Sequence, residues 1–240
     1  MKRIRAYLRF FIVTGMAFAA LTQSHGLYAQ EKTIIVDFAK DPLARRPEGF
    51  LSFGGGGGEA GKWVVIEDET SPAGKRVVAQ TSSWDKRTNH YAILVYKHGN
   101  IRNLDAACRV RINGKSEEAS AGLVVRFQNE NNYFVFEASS GNGALSFYEI
   151  TDGDRRMISR VLARVTPEDW HEIRIKCDEF QCECYFDGKL IFTPNLSRFW
   201  RGNVALWTRG DTQARFTGLS IKVYEETGML DKVKNTLFAN

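Results

Sequence analysis

Residues Ala121–Arg156 read AGLVVRFQNENNYFVFEASSGNGALSFYEITDGDRR. Three short runs rich in β-branched and aromatic residues, AGLVVRF (121–127), NYFVFEA (132–138) and ALSFYEI (144–150), are divided by Asn, Ser, Gly and Asp. Each run has the length of a strand, and the dividers are turn formers. Asn142-Gly143 and Asp152-Gly153 are dipeptides favoured by tight hairpins, whose central positions both need positive φ. The stretch predicts an antiparallel meander.

The same pattern extends in both directions. Upstream lie TIIVDF (33–38), KWVVIE (62–67), RVVAQ (76–80), YAILVYK (91–97) and AACRVRI (106–112). Downstream lie RMISRVL (156–162), WHEIRIKC (170–177), QCECYFDG (181–188), KLIF (189–192), GNVALWT (202–208) and ARFTGLSIKVY (214–224), with Asp187-Gly188 as a further hairpin signal. Strands do not alternate with amphipathic helices, which disfavours a doubly wound parallel sheet. Many short strands without a compositional break predict an all-β, two-sheet antiparallel sandwich of jelly-roll type over residues 30–225.

The ends differ from this core. Lys2, Arg3, Arg5 and Arg9 precede the apolar run FFIVTGMAFAAL, and Leu27-Tyr28-Ala29 offers a cleavage site, so residues 1–29 are expected to be a secretory signal peptide. The run falls short of the roughly 20 residues of a transmembrane helix, and no stable membrane insertion is expected. At the other end, residues 226–240 place Met229, Leu230, Val233, Leu237 and Phe238 at helical spacing, which predicts a short helix that docks on the sandwich or on a protein partner. Four of the 33 Lys and Arg lie in residues 1–29 and none of the 28 Asp and Glu does, which leaves 29 against 28. A nearly neutral chain without a dense basic run argues against nucleic-acid binding.

GGGGGEAGKW (54–63) contains G-x-x-x-x-G-K from Gly56 to Lys62. A phosphate-binding loop needs a Ser or Thr next and then a helix; here Trp63 opens a strand. The segment is expected to be a loop at the rim of the sandwich, flanking a ligand groove.

AGLVVRF, NNYFVFEAS, YEITDGDRR, WHEIRIKC, YFDGKLIF and GNVALWT occur here in that order, after Phe38, Pro47-Glu48-Gly49-Phe50 and Trp63-Val64-Val65. Together they resemble the concanavalin A-like, laminin-G-like sandwich domains of exported bacterial proteins, related to the 3-keto-disaccharide hydrolase domain family and more distantly to laminarinase-type glycoside hydrolases. The resemblance implies two curved sheets whose concave face often holds sugar. It also implies a structural calcium ion, with Asp37 as the early ligand. Where related chains carry acids in the last strand this one has Thr217-Gly218, leaving Asp211 as the alternative second ligand.

The chemistry that the resemblance raises lacks its residues. The laminarinase triplet E-x-D-x-x-E is missing, as is the opening L-F-D-G-K-x-L-x-G-W of the keto-sugar hydrolases. Glu67-Asp68-Glu69, Glu117-Glu118 and Asp178-Glu179 are runs of adjacent acids, and adjacent strand residues point to opposite faces. His90, His98 and His171 stand in no nucleophile or metal motif. Binding is therefore favoured over turnover, with a glycoside hydrolase and a structural or interaction protein as the alternatives.

Strand parity picks the binding residues. If Leu123, Val125 and Phe127 face the core, Arg126 faces out; Tyr133, Val135 and Glu137 share a face, and so do Ala205, Trp207 and Arg209. Sugar sites pair an aromatic surface with planar polar groups, so Arg126, Glu137, Tyr148, Trp207 and Arg209 form the candidate ligand cluster.

Four cysteines in an exported chain favour disulfides over metal, because the C-x-x-C pairs of a zinc site are missing. Cys177 and Cys182 flank the turn 178–181 and are expected to bridge; Cys108 and Cys184 are the remaining pair.

Overall fold

In the computed structural model, which describes residues 28–82, 89–97, 99–114 and 116–226, the chain forms fifteen strands. They are β1 (Tyr28–Val36), β2 (Phe50–Gly55), β3 (Trp63–Glu67), β4 (Arg76–Gln80), β5 (Tyr91–Tyr96), β6 (Asn103–Asn113), β7 (Ser120–Asn129) and β8 (Asn132–Ser139). Then come β9 (Ala144–Thr151), β10 (Asp154–Leu162), β11 (Trp170–Asp178), β12 (Gln181–Phe186), β13 (Lys189–Phe192), β14 (Asn203–Arg209) and β15 (Gln213–Glu226). Among the described residues there is no helix, and so none long and apolar enough to cross a membrane.

All pairings are antiparallel. Sheet A runs β13-β12-β11-β6-β15-β4-β3, with β1 also on β15; sheet B runs β10-β9-β8-β7-β14-β5-β2. β15 reaches both β4 and β1 along one edge because it bends between Thr217 and Ser220, where Gly218 takes φ +61. A Cβ at Gly218 would also lie 3.1 Å from that of Ala73.

The core lies between the sheets. Val110, Ile112, Ile173, Ile175 and Phe216 of sheet A pack with Leu94, Leu123, Phe134, Phe136 and Leu206 of sheet B. Each such side chain contributes about 1.5–3 kcal/mol by leaving water. β11 alternates strictly between buried and part-exposed positions, as a strand with one wet face should, whereas β7, β8 and β14 are buried on both faces.

Turn chemistry follows the sequence in most places. Asp152-Gly153 and Asp187-Gly188 form two-residue hairpin loops with positive φ at both positions. Asn142-Gly143 instead closes a four-residue loop between Ser139 and Ala144, and only Gly143 has positive φ. β2 is a strand that the sequence reading did not place, because Gly54 and Gly55 mask it. Tyr28 and Ala29, assigned to the signal peptide, already belong to β1; residues 1–27 lie outside the described residues. β15 runs to Glu226, so the expected helix of 226–240 falls outside the described residues from 227 onward.

Cys177 and Cys182 face each other across the β11–β12 hairpin, with a Cα–Cα distance of 4.2 Å, and are disulfide-bonded. Cys108 and Cys184 are buried free thiols, which corrects the second expected bridge. β11 lies between their strands: Cys108 pairs with Ile173 and Cys184 with Ile175. Two strand spacings separate them by roughly 10 Å, beyond the roughly 7 Å limit of a disulfide.

Candidate functional site

The outer face of sheet B carries a second cluster of buried side chains. Tyr91 and Ile93 of β5, Ala205 and Trp207 of β14, Tyr133 and Val135 of β8, and Ile150 of β9 form it, with Tyr148 packed against it. Trp207 stacks on Tyr91 with ring centroids 5.2 Å apart, and its Nε1 donates to the Tyr133 hydroxyl at 3.3 Å. Burial pushes the Tyr133 hydroxyl pKa well above its ordinary value, so it stays protonated at neutral pH.

Arg155 crosses this surface from β10. Its guanidinium carbon lies 3.6 Å from the Tyr148 ring centroid, 5.8 Å from Tyr91 and 5.9 Å from Trp207, and it donates to Glu137 Oε2. Burial, the largest influence, opposes the charge of Arg155, but Glu137 together with Tyr148, Tyr91 and Tyr133 outweighs it, leaving the pKa above the ordinary value. Beside it Arg209 pairs with Glu118 at 2.7 Å and donates to Asn89 Oδ1 at 3.4 Å. The chemistry at Arg155 is that of a cation held between aromatic rings and one buried carboxylate.

A recess of about 490 Å³ opens at one end of this surface. Gly56, Gly57, Asn89 and Tyr91 form one side; Asn131, Asp152, Gly153, Asp154 and Arg155 form the other. The glycine-rich segment lies here for a steric reason. Gly56 has φ +64, and a Cβ there would come within 1.9 Å of the Asn89 carbonyl and 3.1 Å of the Tyr91 ring. The loop thus flanks a recess, as the sequence suggested.

Glu137, Tyr148, Trp207 and Arg209 come together as strand parity predicted. Arg126 does not. It has φ +54 in a bulge of β7, so Phe127 turns to the outer cluster and Arg126 leaves that face. Arg126 is fully buried and donates to the Phe199 carbonyl at 2.9 Å and to the Glu179 carbonyl. Burial, with Arg102 adding to it, lowers its pKa to about 10. Trp207 is also fully buried, so it supports the surface rather than offering an open ring.

Sequence reasoning missed Arg155, Tyr91, Tyr133 and Glu118. The signal for Arg155 was available. A two-residue loop at Asp152-Gly153 sets Arg155 opposite Ile150, on the face that Tyr148 shares.

Several of the remaining acids and histidines take structural partners. His171 Nδ1 lies 2.8 Å from Asp187 Oδ2 and Nε2 lies 3.1 Å from the Thr166 carbonyl. Asp68 accepts from Thr70 and Arg215, and Glu179 pairs with Arg102 at 3.6 Å. His98 lies outside the described residues. Asp37 and Asp211 are not brought together. Asp37 follows the pair Val36–Leu219 and caps the Ala39 N–H, while Asp211 precedes the start of β15 and accepts from Ser116 at 2.5 Å. Six residues of β15 between these levels place them roughly 20 Å apart, too far to share one calcium ion. Among the described residues no group of three His, Cys, Asp or Glu is arranged to hold a metal.

Two antiparallel sheets in face-to-face packing define an all-β sandwich of jelly-roll type. Among solved structures the chain is similar to the carbohydrate-binding module CBM66 from Bacillus subtilis, at 12% identity and a TM-score of 0.58, over 72% of this chain and 94% of that one. It is also similar to the carbohydrate recognition domain of Emp47p, at 11% identity and a TM-score of 0.49, over 77% of this chain and 94% of that one. A third is the galectin LEC-6 of Caenorhabditis elegans, at 8% identity and a TM-score of 0.41, over 50% and 84%. By sequence the chain matches no described protein family and no curated protein.

Proposed function

We propose that the protein is an exported, non-catalytic sandwich module that binds carbohydrate in the recess beside Tyr91 and Arg155. The observation that carries this reading is the lining of the recess. Two planar amides, two carboxylates and a guanidinium converge on the edge of an aromatic ring. Planar polar groups match vicinal hydroxyls, and a neighbouring aromatic ring adds apolar contact for the C–H side of a sugar. The likeness to a carbohydrate-binding module supports the reading, and the Cys177–Cys182 disulfide supports an oxidising, extracytoplasmic location.

The acids of the site favour binding over hydrolysis. A glycosidase sets two carboxyls on either side of the scissile bond. Here Glu137 and Glu118 are each committed to an arginine, and Asp152 and Asp154 come from one turn on one side of the recess.

Calorimetry with a panel of neutral oligosaccharides tests the reading, using the wild type and an Asn89→Ala/Asp154→Ala double variant. The expected result is binding of a member of the panel and at least a tenfold loss in the variant. Equal affinity in both refutes the site. Release of reducing sugar that Asp152→Asn abolishes refutes the absence of catalysis.

A further inference from the structure

A second surface, past the other end of β5, combines features that the recess beside Tyr91 lacks. Trp200 is 56% exposed and Phe180 is 40% exposed, and their rings pack edge to face at 4.6 Å. The Arg102 guanidinium carbon lies 4.8 Å from the Trp200 ring centroid. Beside them is a recess of about 420 Å³, lined by Lys32, Arg102, Arg201, Tyr224 and the 99–101 backbone among others. Among the described residues that line it there is no Asp or Glu.

This arrangement is built by the fold rather than by loose surface side chains. Ile101 and Gly202 form a backbone bridge, with N–O distances of 2.9 and 3.0 Å, which sets Arg102 near Arg201. Gly202 permits the approach, since a Cβ there would lie 2.4 Å from the Arg126 carbonyl carbon. Gln128 donates to the Arg201 carbonyl. The buried Arg126 joins the Phe199 and Glu179 carbonyls, and so ties the turn before Trp200 to the turn before Phe180. Asn103 accepts from the Glu179 N–H at 2.8 Å.

A large exposed indole in a fixed position is a ready surface for the C–H face of a sugar ring. Lys32 and Arg201, with Arg102 that also pairs with Glu179 at 3.6 Å, leave a net positive charge that sets the charge of what is bound there. Arginine suits carboxylate and sulfate because its planar fork pairs with two oxygens. We infer that this surface is a second carbohydrate site, selective for anionic glycans: a sugar ring rests on Trp200 while its carboxylate or sulfate enters the recess between Lys32, Arg102 and Arg201. It is separate from the site proposed above and stands without it.

The test uses the full chain and two size-matched probes, a heparin-type sulfated oligosaccharide and an oligogalacturonate, with neutral dextran and polyglutamate as controls, at 150 mM salt. Binding of either anionic sugar is expected at least tenfold more tightly than either control. Preference for one probe assigns sulfate or carboxylate as the recognised group. Trp200→Ala and Arg201→Glu are each expected to lower that affinity at least tenfold without changing the near-ultraviolet circular dichroism attributable to Trp207. A saturating neutral sugar bound in the Tyr91 recess is expected not to displace the probe. Equal binding of polyglutamate, failure to bind either probe, or full affinity in Trp200→Ala overturns the inference.

Discussion

The outer faces of the two sheets obey the same two-residue alternation and use it in opposite ways. On sheet A the outward positions of β6, β11 and β12 carry cross-strand charges. Arg174 meets Asp105 at 2.7 and 2.5 Å, Arg109 meets Glu172 at 3.8 Å, and Lys176 meets Glu183 at 3.8 Å. On sheet B the corresponding positions are Ile93, Val135, Ala205 and Trp207, all fully buried. A charged face in water is held by weak, replaceable pairs. A buried face is held by packing, and the carboxylate on it, Glu137, has little water to fall back on and relies on Arg155. The recess beside Tyr91 opens where that second cluster ends and fixed polar groups meet open space.

The largest expected effect tests this contrast directly. Trp207→Ala removes an indole packed against Tyr91 and bonded to Tyr133, and should lower stability by about 4 kcal/mol. Lys176→Ala on sheet A, whose side chain is 44% exposed, should change it by less than about 0.5 kcal/mol. Urea unfolding midpoints of both variants check the pair. Similar losses would mean that the two faces are not energetically different.

A smaller effect asks what else holds the outer strands of sheet A. Cys177 and Cys182 lie on its inner face and close a loop of about six residues, which the chain-entropy relation converts to about 2 kcal/mol. Cys177→Ala/Cys182→Ala should lose that amount in urea unfolding. Cys108 and Cys184 should stay inert to a thiol reagent in the folded protein and both react after unfolding. Both are buried, and burial, aided by the Glu172 charge, raises the Cys108 pKa to about 12. A denatured chain with no free thiol would restore the second disulfide that the sequence suggested.

The legible parts of the molecule were those governed by alternation and turn chemistry. Parity placed Glu137, Tyr148, Trp207 and Arg209 on one face because β8, β9 and β14 are regular there. It failed at Arg126, where a single left-handed residue exchanges the faces of Arg126 and Phe127, and no residue type in VVRFQ announces that bulge. β2 was hidden because two of its six residues are glycine. Arg155 was overlooked because the strand after the Asp-Gly turn was started at Arg156, although the two-residue length of that turn sets the register of β10 from Asp154 onward. The surface at Trp200 depends on contacts among three segments far apart in sequence, joined by Arg126 and the Ile101–Gly202 bridge, and strand-by-strand reading does not reach such contacts.

The smallest effect concerns Asp68, an acid just past the end of β3 that is buried as Glu137 of sheet B is. The Asp68 side chain is 3% exposed, and accepts from the Thr70 N–H at 2.9 Å, the Thr70 hydroxyl at 2.6 Å and Arg215 at 2.7 Å. Burial alone would raise its pKa, but the bonds from Thr70 and Arg215 outweigh burial and hold it below the ordinary 3.8. A carboxyl with a lower pKa in the folded chain adds stability that is complete above the unfolded value and disappears as pH falls through the folded one. The stability difference between wild type and Asp68→Asn should therefore be constant above about pH 5 and shrink on acidification through 3.8 and below. If the Asp68 difference persists undiminished at the acid end, its contribution comes from shape and hydrogen bonding rather than charge. The buried-charge parallel between the two sheets would then be lost.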